Sequence, residues 1–198
     1  MDTVLLIATL AFVIPMCFTP GPNNVLCAAH GSQHGLRGTL PLIAGMATGW
    51  SCLGLFVGGA TVFIEDNESY FDLLTYIGAV YIAYLSYKLA TAIPLAEEEQ
   101  DSERLGTITG FTLQLVNGKA WIHFLVLMTS FGALFGAGFA AKAMLVLLNL
   151  VFGLPAVITW AVFGTLLRRA FSTPESAAKL NRAMGISLFA VAVWIVIH

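Results

Sequence analysis

The sequence predicts an all-α, polytopic membrane protein in which six transmembrane helices form two inverted three-helix repeats, with helices one and four broken. Three observations support this fold class. Hydrophobic residues make up 58% of the 198 residues and charged residues only 10%, whereas a soluble domain has about 25% charged residues. Six apolar segments are long enough to cross a bilayer. The basic residues lie almost entirely on one side of those segments.

So few charged side chains cannot cover the surface of a protein in water, and the mean hydropathy is +0.85. The composition therefore excludes a soluble enzyme, a nucleic-acid-binding protein and a disordered protein. Cys17, Cys27 and Cys52 all lie in apolar runs without CxxC spacing. Their odd number excludes a complete disulfide framework, so we expect them to be small buried hydrophobic residues.

The six predicted membrane segments are Thr3 to Thr19, Thr39 to Ile64, Phe71 to Ala92, Thr107 to Leu134, Ala140 to Leu167, and Leu180 to Ile197. Helices are expected because an open sheet cannot satisfy its backbone polar groups in lipid. The first segment should continue past a break to Ala29. We interpret it as an uncleaved span, because its start carries Asp2 and no basic residue, and no small-residue cleavage site follows it.

The basic residues predict the orientation of the chain. The loops after segments one, three and five contain seven of them: Arg37, Lys88, Arg104, Arg168, Arg169, Lys179 and Arg182. Only Lys142 lies on the opposite side, near the start of segment five, and Lys119 falls well inside segment four. The excess of Lys and Arg in cytoplasmic loops then places loops 30–38, 93–106 and 168–179 in the cytoplasm. Both termini, and the acidic loop around Glu65, are predicted to lie outside.

An acidic run at residues 97–103 divides the chain near its midpoint. We therefore predict a first three-helix repeat at 1–93, a cytoplasmic charged linker at 94–106 and a second three-helix repeat at 107–198. Three is an odd number, so the second repeat must enter the membrane upside down relative to the first, as in transporters built from inverted repeats. An ordinary solvated loop is the other interpretation of the acidic run.

The stretch Thr19-Pro20-Gly21-Pro22-Asn23-Asn24 interrupts the first segment. Its prolines remove backbone donors and release carbonyl groups four residues earlier, and Pro22 suits the first turn of a new helix. The second half-helix would direct unpaired N–H groups and its positive dipole end into the protein. Broken helices of this kind form substrate sites in transporters. The alternative is a turn at the membrane surface, with both asparagines acting as helix caps.

Lys119 is the only basic residue more than five residues from either end of a predicted segment, and an intramembrane charge indicates function by default. His123 lies four residues later on the same helix face and is a titratable partner. The alternatives are a lysine that extends to the interface and a hydrogen-bonded core histidine. Asn117 can approach Lys119 only if Gly118 breaks the helix.

No carboxylate lies well inside a segment, so proton coupling would have to use Lys119, His123 or the substrate itself. Gln114 and Asn149 are buried polar candidates that favour packing over ligand binding. Three pairs of glycines have GxxxG spacing, namely Gly45 with Gly49, Gly54 with Gly58, and Gly132 with Gly136. Such faces pack within one chain or across a homodimer, and the spacing does not distinguish the two.

Several of these motifs together resemble the LysE/RhtB family of amino-acid exporters, over nearly the whole chain. They are the stretch 19–24, His34-Gly-Leu-Arg37, Gly45 with Gly49, Gly78-Ala-Val-Tyr81, and residues 110–117 followed by Lys119. The family has Asn-Pro-Lys in helix four, and Gly118 replaces that proline here. The Asn-x-Lys form and Asn181 at the start of segment six most resemble its cysteine/O-acetylserine-exporting branch.

The resemblance implies six spans and the export of small amino acids or derivatives across the inner membrane, driven by the proton motive force. The cargo is left open among cysteine or O-acetylserine, homoserine or threonine, and another neutral amino acid. The expected site consists of Pro20, Gly21, Pro22, Asn23, Asn24, Asn117 and Lys119. The substrate carboxylate would meet Lys119, and its ammonium would meet the carbonyls released by Pro20 and Pro22. No cofactor is expected.

Three other functions would require motifs of their own in the sequence. A cysteine-based oxidoreductase would need cysteines in both halves, and an intramembrane hydrolase would need a motif such as HExxH or GxSxG; the sequence has neither. A cation or metal exporter of the same superfamily would need clustered His, Cys or carboxylate ligands. It stays the alternative to amino-acid export.

Overall fold

The computed structural model describes residues 3–19, 21–65, 80, 83–84, 87, 90–91, 104–136 and 138–170, with residues 173, 175–176, 178–179, 182–183, 185–186, 189–190 and 193; of 61–65 and 168–170 it describes the backbone alone. Most of predicted segments three and six, together with the acidic run 97–103 and Pro20, lies outside the described residues.

The described part of the chain is helical and contains no strand, as predicted. The helices are α1 (Thr3–Phe18), α2 (Pro22–Glu65), α3 (Thr107–Leu115), α4 (Gly118–Ser130) and α5 (Phe139–Ala170). Within these residues two helical stretches are long and apolar enough to cross a membrane, Pro22–Ala60 and Phe139–Leu167. The chain is interrupted between α1 and α2 and between α3 and α4, at the two places where the sequence predicts breaks.

The long helix α2 is a helical hairpin that reverses at Gly35. Its φ of 69° and ψ of 174° are not helical, and only glycine adopts them readily. The Sγ of Cys27 lies 3.6 Å from the Sδ of Met46, nineteen residues later; a straight helix would separate them by roughly 28 Å. The predicted loop 30–38 is therefore wrong: arm 22–34 and arm 36–59 meet at a single residue.

The turn at Gly35 leads to a prediction about stability. Gly35→Ala should destabilise the protein by about 1–2 kcal/mol, because an L-residue is strained at this backbone conformation. A new Cβ would find nothing within 4 Å, so crowding would not contribute. The midpoint of thermal unfolding of the purified protein measures the effect. Gly106→Ala is the control, since Gly106 has a φ of −99° and open space around it; an equal response of both variants would contradict the prediction.

Two broken helices pass arm 36–59 in opposite directions. Val25 and Leu26 share a core cluster with Leu42 and Ile43, whereas Val13, earlier in the chain, shares another cluster with residues 53 and 57. Helix one, made of α1 and arm 22–34, therefore runs antiparallel to arm 36–59. The pair α3–α4 runs parallel to this arm, as the glycine contacts described next show. The two breaks thus belong to helices of opposite direction.

Glycines allow this close packing. A Cβ at Gly45 would collide with the carbonyl oxygen of Thr107, and a Cβ at Gly49 would lie 2.9 Å from the carbonyl oxygen of Phe111. Further along, a Cβ at Gly54 would lie 2.6 Å from the ring of Phe124. The first two predicted glycine pairs therefore pack within one chain, so their spacing gives no support to a homodimer.

The third glycine pair is not a packing face. Gly132 and Gly136 lie in the turn between α4 and α5, and Gly136 has a φ of 101°. The same four-residue spacing thus has a different physical cause here, because a turn uses the freedom of glycine to adopt positive φ.

Large apolar side chains lie on the outside of the described part of the chain, and several polar side chains lie inside it beside the apolar core clusters. Val4, Ile108 and Val151 are 76%, 84% and 63% exposed. The buried polar residues are Thr9, Asn23, Asn24, His30, Ser32, Thr39, Gln114, Asn117, His123 and Asn149. An apolar exterior around polar groups that bond to one another is what a bilayer requires.

The end of the linker and Lys142 lie at opposite ends of arm 36–59. The Nε2 of His30 accepts a hydrogen bond from the backbone N–H of Leu105 at 3.1 Å, which places the end of the linker beside the Gly35 turn. Lys142 packs at the opposite end, where its Cβ lies 3.2 Å from the position of a Cβ on Gly58.

Candidate functional site

The two helix breaks face each other inside the bundle. Helix α1 ends at Phe18 and α2 begins at Pro22, while α3 ends at Leu115 and α4 begins at Gly118. Lys119, in the first turn of α4, crosses the gap, and its Nζ donates a hydrogen bond to the Thr19 Oγ1 at 3.0 Å. The predicted convergence of the two breaks on Lys119 is what the structure has.

Gly21 makes room for this lysine. A Cβ on Gly21 would lie 3.0 Å from the Lys119 Nζ and 3.1 Å from its Cδ, closer than most side-chain carbons approach each other. The half-buried lysine side chain therefore lies along the backbone at the first break. Glycine at this position lets a charged group from the second half of the chain reach the first half.

The carbonyl groups that end α1 have donors within the protein. The Asn24 Nδ2 donates to the carbonyl oxygens of Cys17 and Thr19, both at 2.8 Å. The carbonyl oxygen of Phe18 accepts from the Trp160 Nε1 at 3.2 Å. These side chains satisfy the acceptors that an interrupted helix leaves without an intrahelical partner.

The Met16 carbonyl, four residues before Pro20, likewise accepts a hydrogen bond, from the Thr19 Oγ1 at 3.2 Å. Both carbonyls that the prolines release, those of Met16 and Phe18, thus have partners. In the structure they are not the bare acceptors that the sequence led us to expect for an ammonium group.

A network of amide side chains joins the two halves beside the gap. The Asn23 Nδ2 donates to the Gln114 Oε1 at 2.8 Å, and the Gln114 Nε2 donates back to the Asn23 Oδ1 at 3.1 Å. The Asn117 Nδ2 donates to the same Asn23 oxygen at 3.2 Å. All three residues are buried, so buried polar groups of both broken helices satisfy one another.

His123 is held on the far side of the gap. Its Nε2 donates to the Asn149 Oδ1 at 2.7 Å, and this oxygen also accepts a weak hydrogen bond from the Cys17 Sγ at 3.6 Å. The ring stacks on Phe12 with 5.3 Å between centroids. His123 therefore has its own partners, as a buried core histidine does, while it also faces the gap.

A cavity opens where these groups meet. It is lined by Met16, Cys17, Gly21, Pro22, Asn23, Asn24, Trp50, Asn117, Lys119, Ala120, His123 and Asn149, and its empty volume, including the part open to solvent, is about 380 Å³. The lining has one cationic side chain and no carboxylate. Two helices, arm 22–34 and α4, begin at the cavity, and their positive dipole ends add to the charge of Lys119.

The predicted site residues Gly21, Pro22, Asn23, Asn24, Asn117 and Lys119 all line this cavity, and Pro20 lies outside the described residues. Gly118 begins α4 and Asn117 is extended at φ −89° and ψ 96°, so the break forms without the family's proline. Sequence reasoning missed Trp50 and treated Cys17 only as a buried hydrophobic residue. An apolar run gives no signal for either, because their placement depends on contacts between distant helices.

A metal centre finds no support at this site. In the parts of the chain that the structure describes, no group of three His, Cys, Asp or Glu side chains could hold a metal ion. At the cavity itself, Cys17 and His123 both bond to an amide oxygen.

Comparison with known proteins gives a consistent result. Residues 14–198 match the family model described as LysE type translocator. The chain is 30% identical over 172 residues to the cysteine/O-acetylserine efflux protein of Klebsiella pneumoniae, with 86% of this chain and 87% of that protein covered. It is 27% identical over 194 residues to the protein of the same name from Shigella flexneri, with 98% of each covered. No solved structure matches the chain.

Proposed function

The chain belongs to the LysE type translocator family, and we propose that it is a secondary active exporter of small amino acids or their derivatives. As a member of that family it is a membrane transporter and not an enzyme. We place it in the bacterial inner membrane as a multi-pass protein with both termini outside. Six spans in two inverted repeats, at 1–93 and 107–198, are part of this proposal.

The cavity between the two broken helices is the observation on which the proposal depends. Its lining comes from both halves of the chain, with Asn23 and Asn24 on one side and Asn117 and Lys119 on the other. A solute held there touches both halves at once. Rocking of one half against the other would then open the site to alternate sides of the membrane.

The charge of the site favours a carboxylate. The Lys119 Nζ uses Thr19 as its hydrogen-bond partner, and no carboxylate lines the cavity. Two helix N-termini add positive potential at the same place. We assign the carboxylate of the cargo to Lys119 and to the start of arm 22–34, with Gly21, Pro22, Asn23, Asn24 and Asn117 as further binding residues.

The cargo that the comparisons favour is cysteine or O-acetylserine, since both relatives described above are named for their efflux. Homoserine, threonine and other neutral amino acids stay in the panel to be tested. We propose that the proton motive force drives export. Lys119 and His123 are the candidates for proton coupling, because the titratable side chains that line the cavity are these two and Cys17.

Efflux from cells tests the proposed function. Cells that express the protein should accumulate less of one member of the panel than cells carrying an empty vector, and should tolerate more of it in the growth medium. A protonophore should abolish the difference if protons drive export. Equal accumulation of every panel member in both strains would contradict amino-acid export. Resistance to a divalent metal ion without any amino-acid efflux would favour the metal-exporter alternative.

A further inference from the structure

The side-chain oxygen of Asn117 is a buried acceptor without a donor. Asn117 is 2% exposed, and its Oδ1 has no hydrogen-bond partner. A buried acceptor in this state loses its bond to water and gains nothing in return, so it calls for an explanation. Because Asn117 lines the cavity, the missing donor is one that a solute in the cavity can supply.

The direction of this amide is fixed by its neighbours. The Gln114 Nε2 donates to the backbone oxygen of Gly110 at 3.2 Å, which determines which end of the Gln114 amide is nitrogen. The Gln114 Oε1 then requires the nitrogen of Asn23, and the Asn23 Oδ1 requires the nitrogen of Asn117. Each of the three side-chain amides in this network therefore has one orientation that is consistent with its hydrogen bonds. In this arrangement the Oδ1 of Asn117 has no hydrogen-bond donor.

Several other acceptors at the breaks are occupied. Asn24 bonds the carbonyl oxygens of Cys17 and Thr19, and the Asn149 Oδ1 accepts from His123. An ammonium group that enters the cavity therefore finds in the Asn117 Oδ1 a buried acceptor without a partner. Lys119, two residues away, offers a positive charge to the other end of a zwitterion.

We propose that the Asn117 Oδ1 receives the α-ammonium group of the cargo, and that Gln114 and Asn23 are positioning residues that aim it. This inference rests on the proposed function and deepens it. The site selects compounds that carry both a carboxylate and a protonated primary amine, and it discriminates against carboxylates that lack the amine. Gln114, a packing residue by sequence criteria, thereby contributes to selectivity without touching the cargo.

A pair of ligands that differ in the amine alone tests this assignment. O-acetyl-L-serine and 3-acetoxypropanoate share the carboxylate and the ester, and binding of each to the purified protein is measured by calorimetry. The wild type should prefer O-acetyl-L-serine by at least about tenfold, as expected for a hydrogen bond to a charged group. In Asn117→Leu this preference should fall to near unity, while 3-acetoxypropanoate binds no more weakly than before.

Two further variants distinguish the loss of the Asn117 orientation from a general disturbance of the folded cavity. Gln114→Met removes the bonds that orient the network, so the preference should also fall. Asn149→Leu removes another buried asparagine from the same cavity, but its oxygen already has donors, so the preference should persist. A full preference in Asn117→Leu, or equal weakening of both ligands in that variant, would overturn the assignment.

Measurements on the wild-type protein show whether the amine assignment alone fails or whether the proposed exporter function fails as well. If it binds both ligands equally well, the amine assignment fails and the exporter proposal is unaffected. If it binds neither ligand and cells export no member of the panel, the proposed function fails, and the amine assignment fails with it.

Discussion

Replacing Lys119 with methionine should lower efflux by at least about 30-fold, the effect of losing about 2 kcal/mol from a desolvated charged contact. Methionine fills a similar volume beside Gly21 but offers no charge to the carboxylate of the cargo. Cells expressing Lys119→Met should accumulate the exported compound as empty-vector cells do, with the same amount of protein in the membrane by immunoblot.

Lys142→Met is the matched control for this experiment. Lys142 packs against Gly58 at one end of the bundle and does not line the cavity. Its replacement should leave efflux unchanged. If cells expressing Lys119→Met export the compound as well as wild-type cells do, Lys119 does not bind the cargo. The proposal that the cargo passes between the two helix breaks then loses its support.

Gly45→Ala should unfold or strongly destabilise the protein, with a cost of about 3 kcal/mol or more. The added methyl group would collide with the carbonyl oxygen of Thr107 in α3. A backbone oxygen cannot rotate away as a side chain does, so the helices would have to separate. We expect a large fall in the midpoint of thermal unfolding and a low yield of folded protein from the membrane.

Gly59→Ala, on the same hairpin, is the control for this second variant. A Cβ at Gly59 meets nothing within 4 Å, and alanine favours helix more than glycine does. Its stability should equal or exceed that of the wild type. If Gly45→Ala unfolds at the wild-type temperature, arm 36–59 and α3 do not pack through their backbones.

The breaks and the charged residue between them were predictable because they have local causes. Two prolines in Pro20-Gly-Pro22 stop a helix whatever surrounds it, and a lone lysine in an apolar segment is conspicuous. The break before Gly118 does not follow from the sequence alone, because glycine weakens a helix without ending it. In the structure the extended backbone of Asn117 completes that break.

Contacts between distant residues were not predictable. Nothing in a single sequence pairs Asn23 with Gln114, because the hydrogen bonds between them depend on how two helices cross. The reversal at Gly35 was missed for a different reason. Residues 30–38 are rich in glycine and polar side chains, which predicts a loop. In the structure a single glycine with positive φ reverses the chain.

The donors that Asn24, Thr19 and Trp160 bring to the end of α1 have a consequence for the transport cycle. A carrier that releases its cargo on one face of the membrane must reset before it can load again. At the first break, side chains of the protein itself bond the carbonyl oxygens of Met16, Cys17 and Phe18. The end of α1 therefore does not depend on a solute to complete its hydrogen bonds.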